Sequence, residues 1–289
     1  MNAWQLRRER SGWSGGYVEW TDGDTVNLSV VFSWRRQMAY QRAVWWRSRG
    51  YRVRVGGPAV YYDPAFFEGV AEVGYEADAL VHHNPRATFT SRGCIRRCPF
   101  CAVPRIEGDL VELDDWSVKP IVCDNNLLAC SEAHFDQVID RLLESGIRGV
   151  DFNQGLDARL LTEYHAARLA ELHRAGQLKC VRLAWDDVRM EAVFRCAHRL
   201  LRDAGIPKGK VSVYVLIGFN DTPEDALYRL REVWALGAWP NPMRYQPLDA
   251  EKRNEYVAPG WTDRELKRYM RYWSNLRHLS AVPFAEYGG

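Results

Sequence analysis

The 289-residue chain contains no run of about 18 apolar residues, so no membrane-crossing helix is expected. Its start, Met1 to Arg10, carries Arg7, Arg8 and Arg10 with no apolar stretch behind them, which is not the pattern of a secretory signal. Seven cysteines are too few and too unevenly spread to staple a chain of this size, so a reducing cytoplasm is expected. No internal repeat and no low-complexity tract is present. The glycine fingerprint of a dinucleotide site is missing from the first strand-to-helix turn.

What is present is unevenly placed. Net charge is only +2, yet residues 1–60 hold ten Arg and four acids, leaving −4 for the rest, and six of the twelve Trp fall in the same stretch. Basic charge interleaved with aromatics is one footprint of nucleic-acid binding. A solvated Arg-rich face over a small Trp-containing core explains the same composition.

The order of elements points to an α/β protein. Residues 26–33 read as a buried strand, 35–50 as a helix closed by Gly50, and 51–55 as a second strand, a β-α-β unit within a first domain of residues 1–85. From residue 86 strands and helices alternate. Strands are predicted at 88–91, 120–123, 149–153, 179–185, 211–218 and 243–247. Helices are predicted at 131–144, 162–174 and 187–203, after Thr222, and at 262–279. Alternation of this kind requires parallel strands with right-handed crossovers. The predicted second domain is 86–250, followed by a helical extension over 251–289.

The densest chemistry is Gly93-Cys94-Ile95-Arg96-Arg97-Cys98-Pro99-Phe100-Cys101, just after the first strand of that domain. Three thiols at C-x3-C-x2-C spacing can hold three irons of a four-iron cluster, which usually takes four cysteines, so one iron stays open for a ligand. Zinc is the alternative, with His82 or His83 as a fourth ligand, although structural zinc sites usually present two separated pairs. The spacing, with Phe100 before the last Cys, resembles the cluster loop of the radical S-adenosylmethionine (SAM) enzymes, and the resemblance extends over roughly residues 86 to 250. It implies a partial (β/α)6 barrel, a [4Fe–4S] cluster on Cys94, Cys98 and Cys101, SAM on the open iron, and a flavodoxin- or ferredoxin-like electron donor. The 5′-deoxyadenosyl radical formed from SAM takes a hydrogen atom from substrate.

In such folds ligands lie beyond the carboxyl ends of the strands. The second strand ends in Asp124-Asn125-Asn126, where the family often has Gly-Gly-Glu. The triplet resembles methylthiotransferase-like and cobalamin-linked members, which implies that these residues grip the methionyl group. The alternative is an Asx turn capping the next helix. The third ends in Gln154, Asp157 and Arg159. The Arg suits the SAM carboxylate and the other two suit ribose or substrate, against the alternative of a polar surface loop. Arg182 inside the fourth strand needs a carboxylate partner, from SAM or from an acid. Ile217 resembles the apolar backbone beside adenine, Phe100 is expected to shield the cluster or adenine, and Arg244 is expected to touch substrate. Cys123, Cys130, Cys180 and Cys196 read as small buried thiols, with the alternative that Cys123, at a strand's carboxyl end beside Asp124, donates a hydrogen atom or is alkylated.

No Asp-x-His-x-x-Gly cobalt ligand is present, and the N-terminal unit is too short for a cobalamin domain. Small members with these features look similar to phage-type enzymes acting on modified DNA bases. The expectation is therefore modification or isomerisation of a nucleobase side group, with DNA or a nucleotide as partner. The alternatives are a methyl- or methylthiotransferase acting on RNA or protein, and a non-catalytic zinc-binding nucleic-acid module.

Overall fold

The computed structural model describes residues 12–74, 79–275 and 281–288. Two compact units emerge. One comprises Met1–Ala87, Cys101–Gly108 and Gln246–Glu255, the other Thr88–Phe100, Asp109–Tyr245 and Tyr256–Gly289. The last helix thus shares a unit with the main sheet, and the short segment opened by Cys101 belongs to the first unit.

The first unit is a four-stranded mixed sheet. Strands β1 (Tyr17–Asp22) and β2 (Thr25–Val30) form an antiparallel hairpin in which Asp22 faces Thr25 across Gly23, whose φ of 59° suits a tight turn. Helix α1 (Arg36–Arg47) crosses to β3 (Arg52–Gly56), parallel to β2, and β4 (Glu72–Val73) adds parallel to β3. The predicted β-α-β unit is therefore present, but it carries an extra hairpin strand. Val26, Leu28, Val30, Val53, Val55 and Phe67 make its core. Much of the Arg excess is spent locally on ion pairs: Arg36 with Asp63, Arg42 with Glu19, and Arg52 and Arg54 with Glu72. Arg7, Arg8 and Arg10 lie outside the described residues.

The second unit is built on a six-stranded sheet in the order β12-β11-β10-β9-β8-β5. The strands are β5 (Ala87–Thr88), β8 (Ile121–Val122), β9 (Val150–Phe152), β10 (Leu178–Ala184), β11 (Val211–Ile217) and β12 (Trp239–Arg244). Neighbours from β8 to β12 pair in parallel. Between them run α2 (Glu132–Ser145), α3 (Glu163–Arg174), α4 (Glu191–Asp203) and α5 (Pro223–Ala235), with α6 (Asp263–Trp273) after the sheet. Sheet order follows chain order, so right-handed crossovers of one sense bring the helices to one face. That face is the core: Val181, Leu183, Val213, Val215 and Ile217 meet Phe135, Ile139, Leu142, Leu169, Phe194 and Leu230. Each such side chain contributes roughly 1.5–3 kcal/mol by leaving water. Caps set the helix starts, as with Ser131, Thr162, Thr222 and Thr262, whose hydroxyls each accept a first-turn backbone N–H.

Three expectations need correction. The first strand is broken: β5 ends at Thr88, and Ser91–Arg92 (β6) leaves the sheet to pair antiparallel with Val111–Glu112 (β7). The last strand lies at Trp239–Arg244, ahead of the predicted 243–247. Its Pro240 and Pro242 obscured it, since Pro weakens a strand reading. Here β12 is the edge strand, and the Tyr245 N–H bonds the Ile217 carbonyl at 2.9 Å, so the backbone groups of odd-numbered residues point to β11 and the proline nitrogens point away from it, while the proline side chains are buried. Helix α4 begins at Glu191 after a 3-10 turn at Val188–Met190 rather than at Asp187. Residues 276–279 of the predicted last helix lie outside the described residues. Among the described residues no helix is long and apolar enough to cross a membrane.

Candidate active site

Polar side chains gather at the carboxyl ends of β8 and β9, against the cysteine loop. Asp124, the first residue of the predicted triplet, is buried and turned back into the fold. It accepts hydrogen bonds from the Thr90 backbone N–H at 2.6 Å, from the Ser91 hydroxyl at 2.9 Å, and from the Thr90 hydroxyl. Burial raises its pKa and these donors pull it back. Asp124 thus fastens the segment leading into the cysteine loop to the end of β8. Asn125 next to it is half-buried.

Asn126 points to the loop itself. Its amide nitrogen lies 3.5 Å from the Cys94 sulfur and 3.5 Å from Asp157 Oδ2. Its Oδ1 is buried and meets no donor among the described residues. The Arg96 backbone N–H also donates to Cys94, at 3.3 Å. Asp157, beyond the end of β9, accepts from Arg96 Nε at 3.0 Å and from Arg159 through Nε at 2.6 Å and Nη2 at 3.0 Å. Burial pushes the Asp157 carboxyl up, but the Arg159 and Arg96 guanidiniums outweigh it and hold it below the usual carboxylate range. The Arg159 pKa rises chiefly through Asp157, with burial opposing and Cys98 adding to the rise. Asp157 therefore joins Arg96 of the loop, Asn126 beside Cys94 and Arg159 beside Cys98. Gly155 makes the turn before it, at φ 92°, where a Cβ would come within 3.3 Å of the Tyr214 ring.

Other predicted residues are elsewhere. Arg182 has its carboxylate from within the fold: Asp151 receives Nε at 2.6 Å and Nη2 at 2.8 Å. Arg244 is committed to Asp263 at 3.0 Å and to the Tyr256 carbonyl at 2.7 Å. Neither joins the Asp157 group. Gln154 is exposed on the same turn, and Ile217 is fully buried in the core. Phe100 packs edge-on to Phe219, ring centres 5.6 Å apart, and Phe219 continues to Tyr245 at 4.7 Å. Two residues that carried no expected role belong to the group. Arg96 was hidden among many arginines. Asp186, at the end of β10, is pushed by burial up to about 6, with Arg229 and Arg159 pulling the other way.

The donor chemistry suits an iron–sulfur cluster. Cys94, Cys98 and Cys101 are half-buried thiols, N–H groups face the Cys94 sulfur, and a guanidinium lies beside Cys98. Among the described residues no three Cys, His, Asp or Glu side chains converge as a ready metal-ligand group. The histidines considered for zinc have other partners: His83 bonds Ser14 at 2.6 Å and Ser29 at 2.9 Å, and His82 stacks on Trp20. Burial pushes the Cys123 thiol up to about 12, and those of Cys130 and Cys180 up to about 11, so these three stay protonated.

No family model matches the chain and no solved structure matches it. It is similar to the ribosomal protein uS12 methylthiotransferase RimO of Janthinobacterium sp. (strain Marseille), 28% identical over 195 residues, or 61% of this chain and 39% of that protein. The same protein from Herminiimonas arsenicoxydans is 28% identical over 195 residues, 61% of this chain and 38% of its own length. The chain thus spans about two fifths of the length of these curated relatives. This distant similarity supports membership of the radical SAM superfamily and goes no further.

Proposed function

We propose that the chain is a radical SAM enzyme in which Cys94, Cys98 and Cys101 hold a [4Fe–4S] cluster. The observation that carries this is the Asp157 group, which fixes Arg96, Cys94 and Cys98 of the loop at the carboxyl ends of β8 and β9. A cluster held by Cys94, Cys98 and Cys101 would, together with SAM, supply one-electron reduction and the removal of a hydrogen atom from substrate. The chain's own groups bind and orient. The buried Asn126 Oδ1 is an acceptor awaiting a donor, and the ammonium of SAM would satisfy it. Phe100, next to Cys101 in the chain, packs edge-on against Phe219. The six-stranded sheet is read as a partial barrel, and the electron donor as a flavodoxin- or ferredoxin-like protein.

For the outcome of the radical, the names of the two relatives and the Asp124-Asn125-Asn126 triplet favour a methylthiotransferase-like reaction over the nucleobase modification first expected. The nucleobase reading keeps the support of the basic helix α6. The test is anaerobic iron–sulfur reconstitution followed by SAM and dithionite, with 5′-deoxyadenosine measured by mass spectrometry. RNA, DNA, nucleotides and peptides are then added in turn. Substrate-dependent 5′-deoxyadenosine and its loss in Cys98→Ala are expected. A colourless, zinc-loaded protein that never forms 5′-deoxyadenosine would overturn the proposal.

A further inference from the structure

Helix α6 has two unlike faces. Leu266, Tyr269 and Trp273 are buried in the core of the second unit, whereas Arg264, Lys267 and Arg271 are exposed on the other side. A recess of about 400 Å³ opens on that side, lined by Asp263, Arg264, Lys267, Arg268, Arg271 and Gly288. Arg268 builds its wall. Its guanidinium donates to the Tyr287 carbonyl at 2.8 Å and the Phe284 carbonyl at 2.5 Å, and lies 4.4 Å from the Phe284 ring centre. This holds the chain end beside the helix. The other cations are left for something else. Among the described residues Arg264 and Arg271 make no side-chain hydrogen bond or ion pair, and Lys267 pairs only with Asp263, which Arg244 already neutralises. Glu265 is turned away to cap the helix start through Thr262.

Arg264 and Arg271, without a side-chain partner among the described residues, line one recess with Lys267 and Arg268 against a single carboxylate, Asp263, and a cleft focuses the field of such excess charge. The structure tolerates this on a helix whose sequence surroundings, residues 61–289, carry a net −4. We infer that the recess and the α6 face form a binding site for the phosphate backbone of a nucleic-acid strand. Arg264, Lys267 and Arg271 follow one another at rises of about 4.5 and 6 Å along the axis, for a span of about 10 Å, which suits successive charges better than one isolated anion. Among the described residues the lining contains no aromatic or aliphatic side chain. An acidic peptide would find nothing there for its apolar groups, whereas backbone phosphates gain affinity from counterion release and need only cations. The site would hold a strand regardless of sequence and leave base recognition to other residues. This inference does not rest on the radical reading, because binding needs neither cluster nor SAM.

The test uses the full chain and fluorescein-labelled single-stranded DNA and RNA, with binding followed by anisotropy across a KCl series. In Arg264→Gln/Arg271→Gln, affinity near 0.1 M salt should fall about ten- to thirtyfold, and the slope of log K against log salt should fall by about 1.4, two contacts at about 0.7 each. The lysine pair at the same positions should restore most of both. Arg189→Gln/Arg199→Gln removes equal charge from elsewhere on the surface and should leave the slope unchanged. Circular dichroism confirms that each variant is folded. An unchanged slope in the first variant, or an equal loss in the second, overturns the inference. So does displacement of the strand by polyglutamate at matched charge, which would mark an acidic-polypeptide site. Displacement by inorganic phosphate at matched ionic strength, which would mark a small-anion site, overturns it too.

Discussion

Replacing Asp157 with alanine should loosen the cysteine loop more than it destabilises the protein. The substitution removes the acceptor for Arg96, the two-pronged partner of Arg159, and one contact of Asn126. A fully buried charge-assisted hydrogen bond contributes about 1.5–3 kcal/mol. The Asp157 side chain is 6% exposed, but its partners Arg96 and Arg159 are 33% and 36% exposed, so water recovers much of what they lose. The expected cost is about 1–3 kcal/mol, concentrated where the loop meets β8 and β9. Since each 1.4 kcal/mol is a factor of ten, local opening of the loop should become roughly 5- to 100-fold more frequent. The assay is alkylation of Cys94 and Cys98 in the metal-free protein under anaerobic conditions, resolved by peptide mass spectrometry, with urea unfolding in parallel. Asp109→Ala is the control: it breaks the Arg97 pair in the same loop, but the partners are 69% and 86% exposed, so both readouts should stay near wild type. Equal alkylation rates in Asp157→Ala and wild type would refute the argument that Asp157 holds the loop.

Two further outcomes follow from buried charge. Asp221→Ala should cost about 3–5 kcal/mol in urea unfolding, because it removes the carboxylate hydrogen-bonded to Arg229, whose side chain is 0% exposed, and leaves it backbone carbonyls and the field of Asp186 and Asp187. Adding Arg229→Leu should recover part of that loss, and a purely additive double variant would contradict this account. Burial, with His82 adding, lowers the His83 pKa to about 4 from an ordinary value of 6.5, so the unfolded chain binds the extra proton first. Its contribution is complete above about pH 6.5 and falls as pH drops toward 4, by at most about 3 kcal/mol. His83→Gln should flatten that part of the stability–pH curve, and an unchanged slope between pH 4 and 6.5 would exclude His83 as its source.

The elements that were legible in the sequence are those whose signal is local. Thr162, Thr222 and Thr262 cap helices because capping spans three residues, and the run at 211–217 is a strand because its alternation is continuous. Strand β12 escaped because prolines at an edge and prolines in a loop look alike until a neighbouring strand is known. The broken first strand escaped because the partner of Ser91–Arg92 lies some twenty residues on. Arg182 and Arg159 looked equivalent as arginines near strand ends. One proved to be closed off by Asp151, the other to stand beside Cys98. Asp124, expected at the methionyl group, accepts hydrogen bonds from Thr90 and Ser91, partners that no local pattern announces.

The sequence by itself determined the three-thiol loop and the succession of strands and helices around it, because ligand spacing, capping and hydrophobic period are properties of neighbouring residues. Only the tertiary structure decided which charges are already paired. An ion pair is formed by residues that the chain separates and the sheet reunites, as Asp151 with Arg182, Asp263 with Arg244, and Asp157 with Arg96. The same pairing left Arg264 and Arg271 without a partner among the described residues, and composition could not reveal that, since it counts charges without saying which ones meet.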